Sequence, residues 1–421
     1  MRSAQRHMDI WLQPPAGPDD PPSPLLQAVL EDAWVAAHPL GEPCPTVLRT
    51  ALAGEGNMNL SLRIQTAVAP AGAAAPQAEG DKGGGDTESG SWVLKQSRPW
   101  VQAYPEYAAP VERVGVEAAW YAVANGIPSI QHMVPSLAGV SRRFAAILCQ
   151  DLGKASDFTP LYDVEGTASQ ERGALLAQLP HTARFLGGLH SGTRGATKAF
   201  TRNTEMRQLN ATHMYDIPFS TTNPMLAALD SCEEGLRQAA LDTVRCAAAT
   251  AAAAQLQARY LADTPAAQQP VLLHGDFFFG SWLLTPQGVF VIDAEFAHVG
   301  DAEFDVGVAL AHMAIAQVPL SVVQRWLHEY RTAAAQLDAN AAESLRAPLL
   351  AKYAAVEVIR RLVGVGQIPQ LRLAPGGRAG LVRRALLCID ACSAPSGSVS
   401  PVQTSDEGQQ WQVLWGGASS P

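Results

Sequence analysis

Three carboxylates, Asp276, Asp293 and Glu295, each follow an apolar run in the segment from residue 271 to residue 295. We predict that these runs are two strands joined by a short turn at residues 285–288, which brings the carboxylates to neighbouring strand ends. One carboxylate could then orient a hydroxyl group while the other two hold a magnesium ion on the phosphates of a nucleotide. Phosphoryl transfer requires this division of labour, so the segment predicts that chemistry.

Gly54, Gly56, Asn57 and Asn59 lie in a short turn between two predicted strands. Glycine lets a backbone approach phosphates closely, and amide side chains can donate hydrogen bonds to them. The turn is therefore a candidate phosphate-binding loop. An ordinary hairpin connection explains the same residues, and this alternative stays open.

Lys95 ends an apolar strand-like run, and a low-complexity segment separates it from the glycine turn. When that segment is discounted, the spacing fits a lysine on the third strand of a kinase lobe, which reaches the phosphates of ATP. Glu117, in the helix predicted next, is the candidate carboxylate that fixes this lysine, and Glu112 is a nearby competitor.

Gln150, Asp151 and Leu152 follow an unbroken apolar run that predicts a buried strand at residues 144–149. An adenine base could pair with backbone N–H and C=O groups where such a strand leaves the sheet. These three residues are therefore candidate contacts of a nucleotide base, an assignment that rests only on their position in the chain.

Two lobes are predicted to position these groups. A small lobe of strands and helices spans about residues 24–149, and a larger, mostly helical lobe spans residues 150–395. Residues 69–90 are predicted to be a flexible insertion, and residues 1–23 and 396–421 a disordered leader and tail. The apolar periodicity predicts helices at 24–37, 111–125, 170–190, 303–316, 319–336, 341–364 and 377–393, with a long Ala-rich helix within 225–262.

Composition excludes several classes of protein. The formal net charge is -9 and no block of Lys and Arg occurs, which argues against nucleic-acid binding. The six cysteines show no CxxC pair and predict reduced thiols. No apolar stretch is long enough for a membrane span, and no signal peptide is recognisable, so we expect a cytoplasmic protein. Neither a GxSxG nucleophile turn nor a Walker-type loop occurs.

Four motifs resemble those of the aminoglycoside-phosphotransferase-like kinases, a branch of the protein-kinase fold: GEGNMN at 54–59, LKQ at 94–96, HGD at 274–276 and DAEF at 293–296. Within that group the sequence is most similar to the methylthioribose kinases, because IRRLVGVGQI at 359–368 also matches them. The resemblance implies an α+β, bilobal protein-kinase-like fold with a small β-rich N-lobe and a larger, mostly helical C-lobe.

The resemblance also implies a role for each matching residue. Asp276 would be the catalytic carboxylate that contacts the acceptor hydroxyl, and Asp293, Glu295 and Ser281 would hold Mg²⁺. Arg360 and Arg361 would bind the acceptor together with Asp276. Adjacent arginines on a helix point in different directions, so we expect at most one of them to reach the site. The residues implied to bind ATP are Gly54, Gly56, Asn57, Asn59, Lys95, Gln150, Asp151 and Leu152, with Asp293 and Glu295 acting through the metal.

The sequence departs from the methylthioribose kinase pattern at three places. Phe277–Phe279 replaces Leu-His-Thr after the HGD motif, Ala294 replaces a proline, and Gln367 replaces a histidine. The carboxylates are kept, but the wall of the acceptor pocket is changed.

The function implied is phosphorylation of 5-methylthioribose to 5-methylthioribose 1-phosphate by Mg-ATP, a step of methionine salvage. The alternatives are a related kinase of another sugar, an amino alcohol or an aminoglycoside, and a catalytically silent kinase-like binding protein. The resemblance also implies a homodimer.

Overall fold

The computed structural model describes residues 11–15, 21–38, 44–53, 58–67, 90–102, 104–195, 200, 202–262, 269–337, 345–393 and 410–416. The predicted phosphate-binding residues Gly54, Gly56 and Asn57 lie outside these residues, as does most of the predicted insertion. The chain forms two compact units. The first is Met1–Gly126 with Val134–Lys154, and the second is Ile127–Met133 with Ala155–Pro421.

The first unit is built on a five-stranded antiparallel sheet in the order β1 (Val47–Leu52), β2 (Leu60–Thr66), β3 (Gly90–Gln96), β7 (Ala146–Gln150) and β6 (Leu137–Ser141). In β2, Leu60, Leu62 and Ile64 are buried and alternate with less buried residues, as expected when one face of a sheet covers a core. The strands of this unit are β1 Val47–Leu52, β2 Leu60–Thr66, β3 Gly90–Gln96, β4 Trp100–Val101, β5 Tyr104–Ala108, β6 Leu137–Ser141 and β7 Ala146–Gln150.

Two helices accompany this sheet, α1 Pro24–Ala37 and α2 Arg113–Asn125. Helix α1 begins where its sequence predicts, because the side chain of Ser23 accepts a hydrogen bond from the amide of Leu26 and Pro24 occupies the first turn. Its apolar side packs with the sheet in one core that includes Trp34 and Trp92.

The second unit is mostly helical. Helices α8 (Ala302–Ile315) and α10 (Ala347–Val363) approach closely, since a Cβ at Gly307 would lie 2.7 Å from the Cβ of Tyr353. Its helices are α3 Ser169–Gly192, α4 Thr204–Ala211, α5 Leu226–Cys232, α6 Leu236–Arg245, α7 Ala247–Leu261, α8 Ala302–Ile315, α9 Leu320–Leu337, α10 Ala347–Val363 and α11 Gly377–Ala391. Its strands are β8 Ser156–Asp157, β9 Val271–Leu273, β10 Trp282–Thr285, β11 Gly288–Val291 and β12 His298–Gly300. The predicted α+β composition, a small β-rich part and a larger helical part, is confirmed.

The strand pairing around the three carboxylates differs from the prediction. The turn at residues 285–288 is correct, but it joins β10 to β11, and β9 pairs instead with β12. The apolar residues Trp282–Thr285 form the partner strand, a run that we had not separated from the preceding loop.

The Ala-rich region also differs, because it contains three helices, α5, α6 and α7. Gly235 at φ +77° precedes α6, and Cys246 with an extended ψ of 105° separates α6 from α7. High helix propensity alone did not show these breaks.

Part of the predicted tail is ordered. Residues Gln410–Trp415 form a 3-10 helix with Trp411 and Leu414 buried, and the indole N–H of Trp415 donates to the carbonyl of Val318 at 2.7 Å. Within the predicted leader, the amide of Leu12 donates to Oε1 of Gln96 at 2.9 Å. A few large apolar side chains hold each segment against the fold. The prediction of disorder missed them because it rested on the average composition of each segment.

The cysteines and the hydropathy of the helices can also be read from the structure. All six cysteines fall in the described ranges, and none forms a disulfide bond. Among the helices that the structure describes, none has the length and hydropathy needed to cross a bilayer.

Candidate active site

The loop that carries Asp276 begins directly after β9. Gly275 adopts φ +87°, and a Cβ there would lie 2.2 Å from the carbonyl oxygen of Phe296, so only glycine fits this turn. The amides of His274 and Gly275 donate to the two carboxylate oxygens of Asp305, at 2.7 and 3.0 Å. The loop is therefore held by one side chain from the first turn of α8.

Asp305 is fully buried and also contacts Nε2 of His190 at 3.3 Å. Burial alone would raise the pKa of Asp305, but its bonds to His190 and His274 and their charges lower it below the ordinary value. Sequence reasoning missed this residue. The available signal was an acidic side chain in the first turn of an otherwise apolar helix.

The segment after β11 lies against the same loop. Nε2 of His274 is 2.8 Å from the carbonyl oxygen of Ile292, whose amide donates to the carbonyl of Ser281 at 3.0 Å. The hydroxyl of Ser281 donates to the carbonyl of Asp276 at 2.9 Å. These bonds bring the predicted catalytic and metal-binding segments together.

Asp293 and Glu295 follow at the end of β11. Asp293 adopts a left-handed backbone with φ +67°, which is unusual for a residue other than glycine and is often found at functional sites. Glu295 is buried, and the side-chain amide of Asn203 donates to its carbonyl at 2.9 Å. Asn203 is a second supporting residue that sequence reasoning missed.

The donor set suits Mg²⁺, which prefers oxygen ligands and usually takes one or two protein carboxylates together with phosphates and water. Asp293 and Glu295 would supply the carboxylates, and Ser281 would supply a hydroxyl oxygen. Across the described ranges, no group of three or more His, Cys, Asp or Glu side chains could hold a metal ion.

Both predicted arginines lie beside Asp276. Nη2 of Arg361 donates to Oδ1 of Asp276 at 2.7 Å, and Nη1 of Arg360 lies 4.0 Å from the same oxygen. Arg361 makes the hydrogen bond to Asp276 and Arg360 lies farther away, so the expectation that at most one arginine reaches the site stays a prediction. Both side chains bend toward a shared partner, the buried carboxylate of Glu357 on the preceding turn of α10.

Glu357 is the centre of a buried polar network. Arg361 donates to it through Nε at 2.6 Å and Arg360 through Nη1 at 3.1 Å, and Nε2 of His312 lies 3.2 Å away. Burial would raise the pKa of Glu357, but the two arginines and His312 lower it well below its usual range. His312, which also bonds the hydroxyl of Tyr162, has its pKa lowered to about 4 chiefly by burial.

The three phenylalanines after Asp276 have different environments. Phe277 and Phe279 are fully buried, whereas the ring of Phe278 lies under the guanidinium of Arg361, 4.9 Å from Cζ to the ring centroid. Phe278 therefore supports an arginine by a cation–π contact at the place where a polar side chain was expected from the resemblance.

In the first unit, Lys95 pairs with Glu117. The Nζ atom is 2.8 Å from Oε2 and 2.9 Å from Oε1 of this carboxylate, and both residues are buried. Tyr121 donates to the same carboxylate at 3.2 Å. Glu112, the competitor considered from sequence, is exposed at the start of α2.

Asn59 is buried, and its Oδ1 accepts hydrogen bonds from Ser97 at 3.1 Å and from Nε of Arg113 at 2.9 Å. Arg113 also donates to the carbonyls of Met58, Arg98 and Pro110. This guanidinium joins the start of α2 to the residues that follow the glycine turn. Sequence reasoning missed it.

The three candidate contacts of a nucleotide base lie at the end of β7 and directly after it. The amide of Gln150 already donates to the carbonyl of Ser136 at 2.9 Å. The carboxylate of Asp151 is held by Arg63 at 2.8 Å and by the hydroxyl of Ser91 at 2.6 Å, and Leu152 is buried. The side chain of Asp151 is therefore committed to the sheet.

Comparison with known proteins places this geometry in context. A family model described as "Phosphotransferase enzyme family" matches residues 84–347. The chain is 27% identical to a methylthioribose kinase of Erwinia tasmaniensis over 270 residues, which is 62% of this chain and 59% of the relative. It is 24% identical to methylthioribose kinase 1 of Oryza sativa subsp. japonica over 243 residues, 55% of this chain and 52% of the relative. The chain thus spans less than two thirds of these relatives.

Among solved structures, choline kinase LicA from Streptococcus pneumoniae aligns with a TM-score of 0.42 and 11% sequence identity, covering 82% of this chain and 95% of that one. A choline/ethanolamine kinase family protein from Mesorhizobium loti aligns with a TM-score of 0.41 and 13% identity, covering 91% of this chain and 97% of that one.

Proposed function

We propose, because the chain belongs to the phosphotransferase enzyme family, that it transfers the γ-phosphoryl group of Mg-ATP to a hydroxyl of a small neutral sugar. The acceptor that we propose is 5-methylthioribose, converted to 5-methylthioribose 1-phosphate in methionine salvage. The observation that carries the proposal is the HGD carboxylate, Asp276, held by Arg361 beside the segment that bears Asp293 and Glu295.

Nucleotide binding is supported by two sets of residues. The buried ion pair of Lys95 and Glu117 holds the lysine ammonium in one position, as needed for a contact with α- and β-phosphates. Asp293 and Glu295 would hold Mg²⁺, which supplies neutralisation of the charge on the transferred phosphoryl group.

Catalysis would depend mainly on positioning. Asp276 would accept a hydrogen bond from the acceptor hydroxyl and orient it toward the phosphorus atom. The Asp305 carboxylate fixes the backbone of the loop, and Arg361 fixes the side chain of Asp276. Phosphoryl transfer asks for little covalent chemistry from a protein, so this arrangement can supply much of the rate.

The charge around Asp276 supports a neutral acceptor. The carboxylates of Asp276 and Glu357 carry two negative charges, and Arg360 and Arg361 carry two positive charges, so the cluster sums to zero. An aminoglycoside or a choline-like cation would require an excess of negative charge. A polyhydroxyl compound such as methylthioribose requires only hydrogen-bond partners.

Three buried donors lie on α10 or close to it. The buried hydroxyl of Tyr215, Nε of Arg360 and Nε2 of Gln367 have no hydrogen-bond partner among the described residues. Tyr215 belongs to a π-helical turn, Thr212–Asp216, that packs against α10, and such turns are frequent at functional sites.

The test is ATP consumption by the purified protein with methylthioribose, ribose, choline, homoserine or an aminoglycoside. We expect stimulation by methylthioribose, and none by the Asp276→Asn protein with any compound. Stimulation by ribose alone would assign another sugar kinase, and stimulation by choline or an aminoglycoside would contradict the charge argument. If no acceptor stimulates consumption while ATP still binds, the kinase-like binding protein becomes the better interpretation.

A further inference from the structure

We infer that Glu357 is a positioning residue that holds Arg360 and Arg361 on Asp276, and that His312 and Tyr162 complete its setting. The inference rests on the proposed function, because it assigns a role in orienting the carboxylate that meets the acceptor. It adds a residue that touches neither nucleotide nor acceptor and acts through the arginines.

The helix geometry explains why two neighbouring arginines converge. Residues three and four positions apart lie on one face of an α-helix, and Arg360 and Arg361 follow Glu357 by three and four positions. The distances are 3.1 Å from Nη1 of Arg360 to Oε2 and 2.6 Å from Nε of Arg361 to Oε1. Without a carboxylate at position 357, adjacent arginines would diverge.

The hydrogen atoms of the network can be assigned from its chemistry. An ionised Glu357 only accepts hydrogen bonds, so a neutral His312 must carry its proton on Nε2, which faces that carboxylate. Nδ1 of His312 then accepts from the hydroxyl of Tyr162. The sequence of bonds runs from Tyr162 through His312 and Glu357 to the arginines, with every described contact made by one donor and one acceptor.

The consequence for Asp276 concerns which oxygen is available. Oδ1 is the oxygen that Arg361 and Arg360 approach, whereas the side chain of Asp276 keeps an exposed fraction of 19%. Oδ2 is therefore the oxygen assigned to the acceptor hydroxyl. Arg361 can hold this orientation only while its own Nε is fixed by Glu357 and its face rests on Phe278.

Removing Glu357 would leave two buried guanidinium groups with a single carboxylate. A buried charge without its partner is costly, so the arginines would move toward water or close further on Asp276. Either movement displaces the carboxylate from the acceptor hydroxyl. The ATP-binding groups of the first unit contain none of these residues.

A matched control is available in the same unit. Asp301 is a buried carboxylate that also binds two arginines, because it accepts from Nη2 of Arg259 at 2.7 Å and from Nη2 of Arg346 at 2.8 Å. Among the described residues, none of its hydrogen bonds or ion pairs involves Glu357, His312 or Asp276. Asp301→Asn thus measures the general cost of removing one charge from such a cluster. Glu357→Gln measures that cost together with any effect on the site.

The experiment compares steady-state kinetics, thermal stability and nucleotide binding of the wild type, Glu357→Gln, Tyr162→Phe and Asp301→Asn. We expect Glu357→Gln to lower kcat/KM for the acceptor about 100-fold, the size of effect that a small misplacement causes, with KM for ATP within about twofold. Tyr162→Phe, at the far end of the network, should lower it about threefold. Asp301→Asn should lower the Tm while kcat/KM stays near wild type.

The inference is overturned if Glu357→Gln keeps wild-type kcat/KM for the acceptor, or if Asp301→Asn loses as much activity as Glu357→Gln. If Glu357→Gln does not fold, Glu357→Asp and Tyr162→Phe supply the same comparison. A wild-type protein that phosphorylates no acceptor contradicts the proposed function instead. The network is then tested by ¹⁵N NMR of the arginine Nε–H groups, where unchanged signals in Glu357→Gln would refute the positioning role.

Discussion

Lys95 in the first unit and Asp276 in the second are held in different ways. Lys95 contacts one buried carboxylate, Glu117, directly. Asp276 contacts Arg361, which is held in turn by Glu357, and Glu357 is bonded to His312. The first arrangement is a direct ion pair in which Tyr121 also donates to the carboxylate, and the second is a row of alternating charges.

The difference follows from what each group would do. A lysine that binds phosphates needs only a fixed position and a partner that keeps it charged, which one carboxylate supplies. A carboxylate that orients a hydroxyl must keep one oxygen open while the other is held. An arginine that is itself held by a second carboxylate meets that requirement, because its planar donors fix direction as well as distance.

The largest effect is expected from Asp276→Asn, which tests whether the carboxylate held by Arg361 orients the acceptor hydroxyl. An amide keeps the shape of the side chain but cannot accept the acceptor's proton, so kcat should fall about 1,000-fold. Nucleotide binding, measured by calorimetry, should change little, since the first unit is untouched. Normal turnover by this variant would show that the hydroxyl is oriented elsewhere.

A smaller effect is expected from substitutions in the ion pair of Lys95 and Glu117. Lys95→Met and Glu117→Gln should each lower kcat/KM for ATP, about 100-fold for the lysine and about 10-fold for the glutamate, because only the lysine would contact phosphates. KM for the acceptor should stay near wild type, unlike in Glu357→Gln. Glu112→Gln is the matched control, since that carboxylate is exposed and makes no cap hydrogen bond. A loss equal to that of Glu117→Gln would contradict the assignment.

Arg113→Lys tests whether the first unit contains a positioning residue of its own. The guanidinium bonds Asn59 and three backbone carbonyls, and lysine cannot reproduce this fork. We expect KM for ATP to rise about fivefold, with kcat changing less. Kinetics at several ATP concentrations measure this. An effect on the acceptor KM alone would be the contrary result.

The smallest effect concerns pH and stability. The pKa of His312 is about 4 in the folded protein and 6.5 for an ordinary histidine, so the unfolded chain binds the proton more readily. Its contribution to stability is complete above pH 6.5 and is lost as the pH falls toward 4, a change of at most about 3 kcal/mol.

Urea unfolding between pH 7 and pH 4.5 measures this loss. His312→Gln should show a shallower decline than the wild type, and His132→Gln, at an exposed histidine, should not. An equal decline in the wild type and His312→Gln would mean that His312 does not bind a proton in this range.

Sequence reasoning reached the residues that end strands or sit in short motifs. Asp276, Lys95 and Glu117 were predictable because the strand pattern and the spacing to the next helix identify them. Asp305, Glu357 and His312 were not, because each lies within a buried helix and acquires its role from chain segments distant in sequence. The pairing of β9 with β12 was likewise invisible, since nothing local to either strand specifies its partner.

The 3-10 helix at Gln410–Trp415 packs against α10 and α11. Helix α10 carries Glu357 and both arginines. Trimming the chain ahead of residue 410, or attaching a tag that pulls Trp411 out of its contacts, would uncover apolar surface on α10 and α11. A purified protein that loses activity after such a cut would show that the packing of α10 against this segment affects the site. Engineering of this chain is therefore safer when residues 410–416 are kept intact.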